Sequence, residues 1–288
     1  MRRLLLLLVT AAAVSTALAA TGSAAAAPSR TGPLETAAGA AGKASSYSYK
    51  LAMTLSSPGA PTPLTINVTG IAQRSPQTVQ MTMDMTELMA ASGAPAAYGR
   101  YTMIKTTTAS GPVFYLSGGV FKQLLTAGRT WAKVNGTAYA KAAGGDLAKQ
   151  LSNGADIGSF LDVLKAAGAA VTEVGKEKVG TTAATRYKVV VGVDRMLAAQ
   201  GASAADAAKQ TANYRTKTVT YAVWLDGKER PVRMKLSLPI QSSGQKIDEE
   251  IDMTIGDYGS AKRIDVPADS LAKDITAALA ANAKKSAG

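Results

Sequence analysis

Apolar and polar residues alternate with a period of two in about ten segments of this 288-residue sequence. Residues 47–55 and 64–68 show the pattern clearly, on either side of a turn rich in proline and glycine. Successive side chains of a β-strand point to opposite faces of its sheet, so the pattern predicts strands with one apolar face. The sequence therefore predicts a mainly antiparallel sheet whose strands follow one another along the chain.

The clearest strand pair flanks Asp226-Gly227. Residues 219–225 and 232–238 both alternate, and Asp-Gly is a preferred two-residue hairpin turn. A second turn signal, Asn135-Gly136, ends a short strand at 131–135 and predicts another hairpin turn. The other segments predicted as strands are 79–85, 101–103, 113–115, 171–174, 185–193 and 247–255.

Helical spacing of apolar residues interrupts this pattern in a few places. It predicts helices at 34–46, 146–151 and 157–167, and a helix over 194–214 that is interrupted near Gly201. Together the elements predict an α+β fold, a single antiparallel sheet with one face covered by helices. We expect one domain over 34–269, a linker at 28–33, and an Ala/Lys-rich terminal helix or tail at 270–288.

The N-terminal segment is typical of a secretory signal peptide. Met1-Arg2-Arg3 is followed by an apolar run and then by alanine-rich sequence. Small residues place the cleavage after Ala19 or after Ala27, and the later site defines a signal peptide of residues 1–27. The alternative is an uncleaved anchor, for which the strongly apolar part is short. We expect export, and no lipid anchor because the sequence has no cysteine to carry one.

The sequence contains neither cysteine nor histidine. This excludes disulfides, thiol nucleophiles, Cys/His zinc sites and catalytic triads that use histidine. Carboxylates remain as candidate catalytic groups, but Asp226 is explained by its turn and the acidic residues of 248–252 by a solvent-exposed strand start. We therefore expect no enzyme, no cofactor and no metal site.

Basic residues outnumber acidic ones, 32 to 20, which gives a net charge of +12. Basic residues are concentrated in the second half of the chain, many alternating with apolar residues, so we expect ten of them on the outer face of the sheet: Lys176, Lys178, Arg186, Lys188, Arg215, Lys217, Lys228, Arg230, Arg233 and Lys235. Such a face favours an anionic membrane surface or a cell-wall polymer as partner, or it simply keeps the protein dispersed. No pattern typical of nucleic-acid binding is present.

Methionine is concentrated at the apolar positions of the predicted strands. Seven of the ten methionines are Met53, Met81, Met83, Met85, Met103, Met234 and Met253. Methionine adapts to irregular partners, so this face is suited to bind a lipid or another amphiphile in an apolar cavity; alternatively, the methionines simply fill a core that is poor in aromatic residues. The candidate cavity residues are these seven together with Tyr101, Phe160, Leu164, Val223 and Leu236.

Several short motifs resemble the actinobacterial envelope lipoproteins of the LppX/LprG type, which are relatives in fold of the LolA/LolB carriers. The motifs are Tyr47-Ser48-Tyr49-Lys50, Trp131-Ala132-Lys133-Val134, Gly175-Lys176-Glu177-Lys178-Val179-Gly180, Tyr221-Ala222-Val223-Trp224-Leu225-Asp226, and Asp257-Tyr258-Gly259 before Ile264-Asp265-Val266-Pro267. The resemblance covers Thr36 to Asp269 and implies a curved, half-open barrel whose helices cover a concave apolar face. It also implies a carrier of lipids or lipidated molecules. The lipidation cysteine of that family is missing here.

These observations predict an exported, monomeric protein that is not an enzyme and that holds a lipid or amphiphile. Because the lipidation cysteine is missing, a freely secreted binding protein is expected rather than a membrane-tethered one. The alternative is a basic cell-envelope interaction protein with a filled core and no ligand.

Overall fold

A computed structural model describes residues 32–58, 62–143, 157–242 and 244–287. The described strands form one sheet of twelve. They are β1 (Ser46–Ser56), β2 (Leu64–Arg74), β3 (Gln77–Asp84), β4 (Arg100–Thr108), β5 (Gly111–Gly118), β6 (Trp131–Asn135), β7 (Ala170–Val179), β8 (Thr182–Gly192), β9 (Thr218–Asp226), β10 (Pro231–Ser242), β11 (Gln245–Gly256) and β12 (Ala272–Asp274).

The strand order is β12-β6-β5-β4-β3-β2-β1-β11-β10-β9-β8-β7. Nearly all neighbours in space are neighbours in sequence, as the alternating segments and short turns predict. The long-range pairing of β1 with β11 joins the two halves of the sheet, with Leu51 opposite Met253. The two edge strands, β12 and β7, are not paired with each other, so the sheet is unclosed.

Seven α-helices accompany the sheet in the described residues. They are α1 (Gly32–Lys43), α2 (Thr86–Ala91), α3 (Gly136–Ala143), α4 (Ile157–Ala166), α5 (Val193–Ala199), α6 (Ala204–Thr211) and α7 (Thr276–Ala287). The helix predicted over 194–214 is indeed interrupted near Gly201, between α5 and α6. None of the helices in the described ranges combines the length and the hydropathy that crossing a membrane requires.

One face of the sheet, here called the inner face, carries the main hydrophobic core. A single cluster of buried side chains runs across this face from Val134 on β6 to Val189 on β8, and it includes Leu34 of α1, Leu161 of α4 and Ala280 of α7. A twisted open sheet of more than about ten strands tends to curl. The architecture is therefore α+β, a large curved and unclosed sheet with helices, as predicted at this level.

The opposite, outer face carries two smaller clusters. Ile104, Tyr115 and Ile264 belong to one of them, and the segment that contains Ile264 is held to β2 by its backbone N–H, which donates to Oε1 of Gln73 at 3.1 Å. The second cluster packs Trp224 against Ala184 and Val232. The outer face is therefore partly covered by chain that follows β11.

The hairpin turn predicted at Asn135-Gly136 is wrong, because α3 begins at Gly136. Oδ1 of Asn135 accepts a hydrogen bond from the backbone N–H of Ala138 at 2.9 Å, the arrangement by which asparagine caps the start of a helix. A Cβ at position 136 would come within 2.9 Å of Phe114, which explains the glycine. Asn-Gly therefore serves as a helix start here.

The ends of the predicted domain differ from the structure. Helix α1 begins at Gly32 with a proline in its first turn, so residues 32–33 of the predicted linker are helical. At the other end, β12 pairs in parallel with β6 and brings residues 272–274 into the sheet, beyond the expected boundary at Asp269. The predicted signal peptide at 1–27, linker residues 28–31 and the helix predicted at 146–151 lie outside the described residues.

Candidate functional site

All twelve candidate cavity residues belong to the one cluster on the inner face. Eight of them are at most 9% exposed: Met53, Met81, Met83, Met85, Met103, Leu164, Val223 and Met234. The other four, Tyr101, Phe160, Leu236 and Met253, are half-buried. The twelve candidates thus share the inner face, as the alternation of apolar and polar residues predicts for those on strands. They differ in burial, with eight closed off from solvent and four half-buried.

The methionines of β3 and β4 lie in a closed part of the inner face. Met81 is opposite Met103 across the two strands, and Met83 is opposite Tyr101. The hydroxyl of Tyr101 donates to Sδ of Met83 at 3.2 Å, and its ring packs edge-on against Phe121 with centroids 5.7 Å apart. Burial raises the pKa of Tyr101 to about 12. These side chains are partnered by one another and behave as core.

Helices α4 and α5 pack on the inner face near β9. The ring of Phe160 lies edge-on to that of Tyr221, with centroids 5.4 Å apart, and the Tyr221 hydroxyl donates to Sδ of Met196 at 3.1 Å. Leu164 is fully buried beside them. At its start, α4 meets β1, because the backbone N–H of Ile157 donates to the Tyr47 hydroxyl at 3.3 Å.

Half-buried apolar side chains are grouped on neighbouring strands in the middle of the inner face, here called the central patch. Its members come from β1, β11 and β10, and they are Leu51, Leu55, Leu236, Ile240, Ile251 and Met253. Strand register places Leu51 directly opposite Met253, and Leu236 directly opposite Ile251. Neighbours in such pairs are close enough for their side chains to touch. The central patch is therefore a group of apolar side chains that pack against the core and are less completely buried than Met53 and Leu238 beside them.

Glu249 on β11 is a functional candidate that the sequence interpretation missed. It was assigned to a solvent-exposed strand start, and for this residue that interpretation is wrong, since Glu249 is only 2% exposed. Its partners across the strands are Leu55 on β1 and Leu238 on β10. Burial raises the pKa of this carboxyl to about 7. In contrast, Asp248 and Glu250 are exposed as expected.

The strand period explains the position of Glu249. Ile247, Glu249, Ile251 and Met253 are separated by single residues, so they share one face of β11, and Ile251 and Met253 belong to the inner face. The alternation therefore contained the signal. The neighbouring acids of the run obscured it, because carboxylates are rarely buried without a partner.

Tyr49 is a second polar group on the inner face that lacks a hydrogen-bond partner. Its hydroxyl is buried, and burial raises its pKa well above the usual range. Its ring lies over Gly70 on β2, where a Cβ would come within 2.2 Å of the ring carbon Cζ. Gly70 is therefore required by close packing, and the Tyr49 hydroxyl is held within the core.

A pocket of about 650 Å³ among the described residues lies away from the candidate residues. It is lined by Gln73, Ser75, Pro76, Arg263, Ile264, Asp265 and Val266. The side chain of Gln73 lies on the outer face of β2, where it accepts a hydrogen bond from the backbone N–H of Ile264. This pocket therefore does not open onto the inner face.

The carboxylate of Asp226 is held by the turn that contains it. Asp226 accepts hydrogen bonds from the backbone N–H groups of Lys228 and Arg230 at 2.8 and 2.9 Å, and from the Arg230 guanidinium. Although burial opposes ionisation, these hydrogen bonds lower the pKa of Asp226 below its usual value. The turn explanation is therefore confirmed. Within the described ranges, no group of three His, Cys, Asp or Glu residues is placed to hold a metal ion.

The predicted basic outer face is partly neutralised by ion pairs. Arg233 and Lys235 both contact Asp252, at 2.6 and 3.2 Å, and Arg215 pairs with Asp248. The guanidinium groups of Arg186 and Arg233 each lie 5.2 Å from the ring centre of Trp224. This cation–π interaction helps to hold the two side chains against the outer face. Three of the ten basic residues are therefore already paired with acidic side chains of β11.

No family model matches the chain, and no curated protein matches it. Among solved structures, the chain is similar to the lipoprotein LppX of Mycobacterium tuberculosis, with 10% identity over 82% of this chain and 97% of that one and a TM-score of 0.41. It is also similar to LprF from Mycobacterium bovis, with 12% identity over 83% and 96% and a TM-score of 0.45. A LolA superfamily protein from Nitrosomonas europaea gives 9% identity over 86% and 99% and a TM-score of 0.29. Because these likenesses are distant, no function is transferred from them.

Proposed function

We propose that this chain is an exported, monomeric protein that binds a lipid or another amphiphile on the inner face of its sheet and catalyses no reaction. In this proposal α1, α4 and α5 cover the concave side, and the alkyl part of the guest lies on the central patch between them and the sheet. The signal-like N-terminus supports export, and the lack of cysteine supports a secreted form without a lipid anchor.

The observation that carries the proposal is the central patch. A folded chain gains about 25 cal/mol for each Å² of apolar surface that it removes from water, so half-buried apolar side chains next to the core leave some of that free energy unused. An alkyl chain that packed on them would remove this remaining surface from water. Met253 and Leu236, two of the candidates predicted from sequence, belong to it.

We expect Met253→Lys to weaken binding of a fluorescent alkyl probe about ten-fold or more, because the ammonium group would have to lose water against the alkyl chain. Thr254→Lys is the matched control, because Thr254 is the next residue on β11 and is exposed. It should leave binding unchanged. Fluorescence titration with circular dichroism on both variants measures this. Equal binding by wild type and folded Met253→Lys would contradict the proposal.

A second candidate function is a basic envelope interaction protein with a filled core and no ligand. The burial of eight candidate residues to 9% exposure or less favours it. If it holds, protein purified from its producer should contain no lipid after organic extraction or in native mass spectrometry. It should also be retained on anionic vesicles at low salt and released as salt is raised, because exposed charges are screened. A co-purified lipid would favour the carrier instead.

A further inference from the structure

Glu249 has a carboxyl group that the fold buries without using it. The side chain points to the apolar inner face, with Leu55 and Leu238 opposite it on the two adjoining strands. Its Oε1 atom has no hydrogen-bond partner. Among the described residues Glu249 forms no ion pair, and its neighbours Asp248 and Asp252 pair with basic residues on the outer face. Buried polar groups without a partner are uncommon and call for an explanation.

The position of Glu249 connects it to the central patch. Leu55 is its cross-strand partner and a member of the patch, and Ile251 is the next residue of β11 on the same face. A guest whose alkyl chain lies along Leu51, Ile251 and Leu236 would therefore bring one end beside the carboxyl. The polar end of such a guest would then meet the carboxyl group.

The electrostatic surroundings determine which polar end can be accepted. Glu249 interacts electrostatically with the Tyr214 phenol, whose pKa is raised by burial and then by the charge of Glu249. A second carboxylate placed beside Glu249 would repel it strongly in this poorly hydrated place. A neutral hydroxyl can both donate to and accept from a carboxyl group, in either of its protonation states.

We infer that Glu249 binds the polar end of the guest and selects amphiphiles that carry an uncharged hydroxyl over fatty-acid anions. This inference rests on the proposed function, since it assumes an alkyl chain on the central patch. It adds the class of ligand, which is a long-chain alcohol or an acylated polyol with a free hydroxyl.

The test compares two probes of equal chain length, 1-dodecanol and dodecanoate, as competitors for a fluorescent alkyl probe at pH 7. Wild type should bind dodecanol about ten-fold more tightly than dodecanoate, from one hydrogen bond gained in the first case and one repulsion in the second. Glu249→Leu should lose most of this preference. Glu249→Gln should keep dodecanol binding and gain dodecanoate binding, because the amide still forms hydrogen bonds but carries no charge.

Glu250→Gln is the matched control, because Glu250 is the next residue and is exposed. It should keep the wild-type preference. If wild type and both Glu249 variants bind the two probes equally, the inference is overturned while the proposed function stands. If wild type binds neither these probes nor the fluorescent probe, both fail. Circular dichroism of every variant establishes that the comparison is made on folded protein.

Discussion

The free energy of unfolding should fall by about 2.5 kcal/mol between pH 5 and pH 8, because Glu249 must ionise in an apolar place. Its pKa is raised from 4.5 to about 7 in the folded state. Between these two values the folded chain holds a proton that the unfolded chain has lost, so stability decreases as pH rises. The stabilising contribution is fully present below about pH 4.5 and is lost as pH rises through about 7.

Carboxyl groups whose pKa is lowered in the folded state do not produce the same slope in this range. The pKa of Asp252 is lowered chiefly by hydrogen bonds from Arg233, and that of Asp84 chiefly by hydrogen bonds from Thr86. Groups of that kind add stability above their unfolded pKa and lose it in acid, below the range tested. They are ionised in both states from pH 5 to pH 8.

Urea unfolding at four pH values, followed by circular dichroism, measures this effect. Glu249→Gln should remove the slope because the amide does not titrate, and Glu249→Leu should unfold at higher urea than wild type at pH 8, where it avoids a buried charge. Glu250→Gln should retain the slope. A slope that persists unchanged in Glu249→Gln would show that another group causes it.

The alternation of apolar and polar residues predicted most of the strands of the sheet. The hairpin around Asp226-Gly227 was predicted from turn chemistry and alternation, and it is found as β9 and β10. The shared face of the methionines was predicted for the same reason, since strand geometry is local. Every one of the twelve candidates lies in the inner cluster.

What the sequence did not predict depends on contacts between distant segments. Strand β12 has three residues and pairs in parallel with the distant β6. A segment this short has too few residues for an alternating pattern to predict it. Asn135-Gly136 is compatible with a turn or with a helix start, and the approach of Phe114 to Gly136 decides between them. The burial of each methionine depends on where helices and neighbouring strands pack over it. The alternation within a single strand does not determine this packing.

Glu249 illustrates a conflict between two rules that use the same residues. The alternation places it on the apolar face, while the frequency with which acids face water places it outside. The structure follows the alternation, because the backbone hydrogen bonds between β11 and its two neighbours fix the register along twelve residues. A one-residue slip would expose Ile251 and Met253 to water and bury Asp252 and Glu250 instead.

Leu164→Ala should cost about 2–5 kcal/mol of unfolding free energy, whereas Leu236→Ala should cost about 1 kcal/mol. Leu164 on α4 is fully buried, so its truncation leaves a cavity in a packed core. Leu236 on β10 is half-buried in the central patch, so fewer contacts are lost. Urea unfolding at pH 5, where Glu249 is largely neutral, gives the two differences.

Binding of the alkyl probe should show the opposite order, because the two leucines serve different purposes in the proposal. Leu236→Ala removes part of the surface on which the guest lies and should weaken binding several-fold. Leu164→Ala should leave the affinity close to that of wild type as long as the variant is folded, since Leu164 lies on α4 within the packed core and is not a member of the central patch. If instead Leu164→Ala alone weakens binding, the guest lies under α4, and the central patch is not where its alkyl chain rests.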